Sequence, residues 1–400
     1  MSRQLRIAGI LLLVAACAPD RRAAPASSGD SQYLYLWTGS ADSTAPDFLA
    51  VLDVRPDTGR YGALVTTVPV PGLRNGPHHT EHELAADGQL FANGFGSGKT
   101  FVFDVRDGAR PKLTAEFAEQ AGYGHPHSFL RLAGGNVLAT FQMHHGASGM
   151  TPGGLVEMTP AGTMVRSSSA VAPGVPDGLR PYSGAIVPAL DRIVTTTTDM
   201  DPKNPYKANQ LQIWRLSTLE LLHTITLPHG PLGEEADFTA EPRLLPDGRT
   251  VLVSTFNCGL YLLDGLEGAA PSGRLVASFP RGGGGDCAIP VVSGRYLIIT
   301  VPSYPAVVSM DISDPSKPRE ASRLTLGAGN IPHWISLEPS TRRLVITGFG
   351  ELKGRVLMAL FDSTSGALAL DPRFKEPGSE RPGFSVAGRP HGAVFSRPAP

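Results

Sequence analysis

The chain has 400 residues, a formal net charge of -1, only 18% charged side chains and 7% aromatics. There is neither a basic excess to meet nucleic acid nor an acidic block typical of a disordered tail, and beyond the N-terminal segment no apolar run is long enough to span a membrane. Gly (46) and Pro (36) are abundant without a collagen-like period, which suits many short strands in one large β domain or two smaller ones.

Residues 1–17 read as a secretory signal peptide: Arg3 and Arg6 precede an apolar run from Ile7 to Val14, and small residues follow. The ending Val14-Ala15-Ala16-Cys17 is similar to a bacterial lipobox, in which Cys17 is lipidated; an ordinary signal cut near Cys17 is the alternative. Residues 18–32 read as a flexible tether, leaving 33–400 as a single β domain. The expected location is the periplasm or cell envelope, with membrane contact only through the anchor at Cys17. In that oxidising setting Cys258 and Cys287 are a candidate disulfide, with two buried thiols, or a thiol beside a metal, as the rival readings.

The body repeats one unit: a strand, a polar turn, an apolar strand, then a strand ending on Asp or its equivalent. Seven stretches fit, at about 34–71, 78–117, 125–171, 180–228, 239–280, 285–326 and 330–370. In the second, Glu83 to Gly88 leads to Leu90-Phe91-Ala92 and then Phe101-Val102-Phe103-Asp104. In the fifth, Pro246-Asp247-Gly248 leads to Val251-Leu252-Val253 and then Leu260-Tyr261-Leu262-Leu263-Asp264. A small sheet cannot cover both of its faces alone, so such units stack around an axis. The expectation is an all-β, seven-bladed β-propeller, with a two-sheet sandwich as the runner-up.

Pro-His recurs at Pro77-His78, Pro126-His127, Pro228-His229, Pro332-His333 and Pro390-His391. His78, His127 and His333 begin repeats, on what should be innermost strands, so their side chains should converge at one mouth of the channel. Three or four neutral imidazoles there suit Cu, Fe, Zn or Ni and leave room for a small-molecule substrate. His79 and His82 flank the first of them. Glu81 and Glu241 each lie six residues before an Asp-Gly turn and are expected to orient imidazoles or to move protons. His144, His145 and His223 fall later in their repeats and read as surface or structural residues, and His229 reads as a loop residue. The Gly282–Gly285 run lacks a following Lys-Ser or Lys-Thr, Phe95 to Lys99 lacks nucleotide-loop spacing, and no Gly-x-Ser-x-Gly elbow is present.

Over roughly 46–396 the chain resembles the selenium-binding protein family, whose bacterial members include copper-dependent methanethiol oxidases. The resemblance rests on Pro46 to Val54, Pro69 to Leu73, His78-His79, Asp104-Val105 with Pro111-Lys112-Leu113, and Pro126-His127-Ser128. It continues through Asn257-Cys258-Gly259, Asp311-Ile312-Ser313-Asp314-Pro315, Ile335 to Thr347, and Asp371-Pro372-Arg373-Phe374, to His391. It implies copper at His78, His79, His127 and His391, while His333 and His82 stand on the repeat pattern alone. Where animal members carry a cysteine pair after the His-His, this chain has Thr80-Glu81-His82-Glu83-Leu84, so selenium is not the expected ligand. The resemblance further implies an oxidase of a small thiol using dioxygen. Non-haem iron is the alternative metal, and a non-catalytic metal- or partner-binding propeller lipoprotein is the alternative function.

Overall fold

The second strands of the repeats are apolar on both faces, and Val251–Thr255 and Tyr296–Val301 are buried at every residue. Such strands need a neighbouring sheet on each side, and the computed structural model supplies it: seven antiparallel sheets stand as blades around one axis. The structure describes residues 30–398 apart from 147–148, 202–205, 280–286 and 341. The signal peptide, Cys17, most of the tether and the Gly282–Gly285 run therefore lie outside the described residues. Outer strands such as Lys112–Phe117 alternate between exposed and half-buried, as expected of a rim facing water. No helix among the described residues is long and apolar enough to cross a membrane.

Blades 2 to 7 follow the chain outward from their inner strands, which are Pro77–Thr80, Tyr123–Arg131, Gly184–Val187, Thr239–Leu244, Pro290–Ser293 and Asn330–Leu337. Blade 1 differs. Its inner strand is Gly388–Phe395, from the far end of the chain, paired antiparallel with Tyr33–Ser40. The seven stretches read from sequence match the blades but leave residues 371–400 unassigned, and this closing strand lies among them. Ser31, assigned to the tether from composition, is buried in the body, with its amide donating to Glu338 Oε1 at 2.7 Å.

Blades are latched by a recurring polar residue on the second strand. Asn93 Nδ2 donates to the Pro126 carbonyl (3.0 Å), Thr140 Oγ1 to that of Tyr182 (2.6 Å) and Thr196 Oγ1 to that of Ala240 (2.6 Å). Thr300 Oγ1 donates to the His333 carbonyl (3.1 Å) and Thr347 Oγ1 to that of His391 (2.5 Å). Each bond runs from one blade to the inner strand of the next, or for Tyr182 to the segment leading into it. Each thus satisfies a buried backbone acceptor and fixes the height of the axial residues. Between blades 5 and 6 the link is instead a disulfide, Cys258–Cys287, with Cα atoms 4.9 Å apart. The Cys287 amide also donates to the Phe256 carbonyl at 2.9 Å.

Candidate metal centre

Proline has no N–H for a sheet ladder, so within sheets it settles at edges and bulges. In the inner strands of blades 1, 2, 3 and 7 a proline is followed by a bulge, and the bulge carries the histidine. In blade 2 Pro77 pairs with Gly94 and Thr80 with Ala92, leaving His78 and His79 opposite Asn93 alone. In blade 3 His127 and Ser128 lie between the pairs Pro126–Phe141 and Phe129–Ala139. His391 and Gly392 lie between the pairs Pro390–Thr38 and Ala393–Leu36, and His333 between Pro332–Gly348 and Trp334–Thr347. A bulge breaks the strict alternation of faces and re-aims side chains. Consecutive His78 and His79 thus lie stacked, with ring centroids 4.1 Å apart.

The four post-proline histidines come from adjacent blades 7, 1, 2 and 3 and form an arc. His78 Nδ1 is 3.1 Å from His391 Nε2, and His78 Nε2 is 3.0 Å from His127 Nε2. The His333 and His391 rings are 4.8 Å apart. His79 lies 4.3 Å from the His127 ring and 5.7 Å from that of His391. Two overlapping triads, His78/His79/His127 and His79/His333/His391, each place one ligand atom per residue within 4.8 Å of the others. His229, read from sequence as a loop residue despite its Pro-His context, lies outside the strands at an exposed position, 3.8 Å from Asp237.

These imidazoles are uncharged. Burial pushes His127 down to about 3 and His333 to about 4, and it holds His78, His79 and His391 well below the usual 6.5, helped by repulsion from neighbouring histidines. His79 Nε2, His333 Nε2 and His391 Nδ1 are enclosed yet have no hydrogen-bond partner among the described residues. Neutral nitrogens about 3 Å apart, some without partners, fit a shared ion with metal–nitrogen bonds of roughly 2.0–2.1 Å.

Two residues expected in this shell lie elsewhere. The lone pair of His82 Nε2 takes a hydrogen bond from Arg243 Nη2 at 2.9 Å, and the ring stacks on Trp334 with centroids 4.4 Å apart. That nitrogen is spent, and His82 belongs to neither triad. Glu81 is clamped by Arg131 at 2.5 Å and accepts the Phe91 amide at 3.0 Å, so it ties blade 2 to blade 3 rather than serving the axis. The shared spacing of Glu81 and Glu241 to their Asp-Gly turns misleads because the two hairpins differ in length: Glu241 lies inside the blade 5 bulge, whereas Glu81 lies beyond the blade 2 bulge.

Glu241 is fully buried, with Oε2 accepting from Ser183 Oγ (2.6 Å) and Arg243 Nη1 (2.7 Å) while Oε1 has no partner. Sequence reasoning missed Tyr182 as part of this set. Pro181-Tyr182 repeats the Pro-His device in blade 4 with tyrosine in the histidine's place, a signal visible in the sequence. The Tyr182 ring lies 3.8 Å from that of His127. Its hydroxyl is enclosed without a partner, and burial, then the Glu241 carboxylate, pushes the phenol well above its usual range.

Fold and site together define a seven-bladed propeller with an axial centre of neutral histidines. No family model matches the sequence. A methanethiol oxidase of Hyphomicrobium is 29% identical over 227 residues, covering 51% of this chain and 50% of that protein. A methanethiol oxidase of Ruegeria pomeroyi is 30% identical over 122 residues, 28% of this chain and 27% of that one. The matched region thus spans about half the length of the first curated relative and about a quarter of the second. The X-ray structure of a hypothetical selenium-binding protein from Sulfolobus tokodaii superposes with a TM-score of 0.73 over 94% of both chains at 17% identity, a likeness of fold. The chain is thus similar in sequence, over part of its length, to methanethiol oxidases, and similar in fold to that propeller.

Proposed function

We propose that this protein is a copper-dependent oxidase of small thiols. The observation that carries the reading is the arc of His333, His391, His78 and His127 from four successive blades, joined by His79 and all uncharged. An all-imidazole set accepts several first-row metals. Copper is favoured by its place at the top of the divalent affinity order and by the softness of a thiolate ligand, and the thiol substrate by the relatives named methanethiol oxidase.

When bound, copper would hold the thiolate and pass electrons to dioxygen. The overall reaction would be RCH2SH + O2 + H2O → RCHO + H2S + H2O2. The S–H bond and one C–H bond break, and dioxygen takes the two electrons and two protons as hydrogen peroxide. Water replaces the sulfur on carbon, releasing hydrogen sulfide. The chain's own groups handle the protons and the fit. Glu241 Oε1, buried and unpartnered, accepts the thiol proton, and Arg243 and Ser183 hold the carboxylate in place through Oε2. The Tyr182 hydroxyl, likewise unpartnered, donates a hydrogen bond to the substrate sulfur. The disulfide supports an oxidising compartment, and with the basic-apolar leader it favours export as a cell-envelope lipoprotein.

The test is thiol-dependent peroxide formation by copper-loaded protein. Stoichiometric peroxide per thiol consumed is expected. A fully loaded protein that turns over no thiol would instead make the propeller a metal-binding module.

A further inference from the structure

A cavity of about 680 Å³ opens beside the axis between blades 7, 1 and 2, and His391 lines it. This volume is typical of a small-molecule site. Because His391 also stands 3.1 Å from His78, the cavity leads directly to the histidine arc. Its other charged lining residues are Arg74, Lys353, Arg389, Asp42 and Asp47.

The two signs are not equally free. Asp42 accepts both the amide (2.8 Å) and the hydroxyl (2.7 Å) of Thr44, and Asp47 Oδ1 accepts the Ser40 amide at 2.8 Å. Asp47 Oδ2 is enclosed and without a hydrogen-bond partner among the described residues, so it does not face the solvent-filled part of the cavity. Arg74, Lys353 and Arg389 are exposed, and among the described residues their side chains make no ion pair or hydrogen bond. Elsewhere arginines are commonly paired, as Arg55 is with Asp53 and Arg131 with Glu81. Three cations against two carboxylates leave an excess of one positive charge, and the uncommitted charge is positive.

Arg74 is also held in place. Its backbone is left-handed at φ 55, an uncommon setting for a residue with a Cβ, and the neighbouring Asn75 is tied down by Nδ2 donating to the Pro71 carbonyl at 3.1 Å. His391, one of the lining residues, also belongs to the histidine cluster. The cavity therefore has a cationic rim and adjoins the candidate metal ligands.

We infer that this vestibule binds a small thiol carrying a carboxylate, with the carboxylate at Arg74, Lys353 and Arg389 and the sulfur directed toward the histidine arc. The inference rests on the proposed thiol chemistry and narrows it from neutral thiols to anionic ones. Charge at the mouth would also raise the rate at which such a substrate arrives.

Calorimetric titration of the full chain with mercaptoacetate and with neutral ethanethiol tests it, both on metal-free and on copper-loaded protein. Mercaptoacetate should bind the metal-free protein about tenfold more tightly than ethanethiol, and the preference should shrink with added salt. In a Lys353→Gln/Arg389→Gln double variant the preference should vanish while the circular dichroism spectrum and copper content stay unchanged. Equal affinity for the two probes, or a preference that survives in the folded double variant, overturns the vestibule. Failure of the copper reading would show separately, as absence of bound metal, because the acid-binding arm is read on metal-free protein.

Discussion

His78 and His391 are 313 residues apart in the chain, yet Nδ1 of the first stands 3.1 Å from Nε2 of the second. The contact exists only because the C-terminal strand closes blade 1 beside blade 2. The histidine cluster and the closure of the propeller are therefore one structural event, and loss of the closing strand removes a candidate ligand as well as a blade edge.

Gly392 tests that coupling. A Cβ there would stand 2.6 Å from the Thr80 amide nitrogen and 2.8 Å from the His78 carbonyl oxygen, both backbone atoms that cannot swing aside. Gly392→Ala should cost about 1–3 kcal/mol of stability, the usual range for overpacking, and should weaken metal retention. Thermal denaturation and metal analysis of the purified variant check both effects. Unchanged midpoint and metal content would mean that the two strands are not locked together.

Acid should destabilise the metal-free protein in a defined window. The unfolded chain protonates its histidines near 6.5, whereas in the folded chain His127 waits until about 3 and His333 until about 4, because burial disfavours their charged forms. Between those limits the unfolded state holds more protons, so stability is complete above 6.5 and falls as pH drops toward 4. A thermal midpoint that is flat or rising over that descent would show that the imidazoles are not buried neutral.

Tyr182→Phe separates a chemical role from a packing one. The phenol oxygen is enclosed and unpartnered, so removing it should leave stability equal or slightly higher. Copper content should be unchanged, and thiol turnover should fall at least about tenfold if the hydroxyl meets the substrate. Full activity in the variant would reduce Tyr182 to a platform for His127.

The blades were legible because turn signals such as Asp87-Gly88 and Asp247-Gly248 recur before apolar strands at similar spacing. The histidine arc was legible because a proline that cannot join the ladder marks each bulge in blades 1, 2, 3 and 7. Two things were hidden, and a third was in plain view without pointing to a metal. The closing strand pairs with residues at the opposite end of the chain, which no local pattern records. Glu81 and His82 sit next to the His-His pair but, beyond the bulge, turn to Arg131 and Arg243, and only strand register reveals that. Tyr182 carries the same proline signal as the histidines and was passed over because its side chain is not an imidazole.

The central claim is that histidines from four adjacent blades hold one ion. Metal analysis of the intact protein, beside His78→Ala, His127→Ala and His391→Ala variants shown by circular dichroism to be folded, tests it most directly. The account predicts about one copper per chain in the parent and loss of most of it in every variant. Copper bound equally well by all three folded variants would place the ion elsewhere and contradict the account.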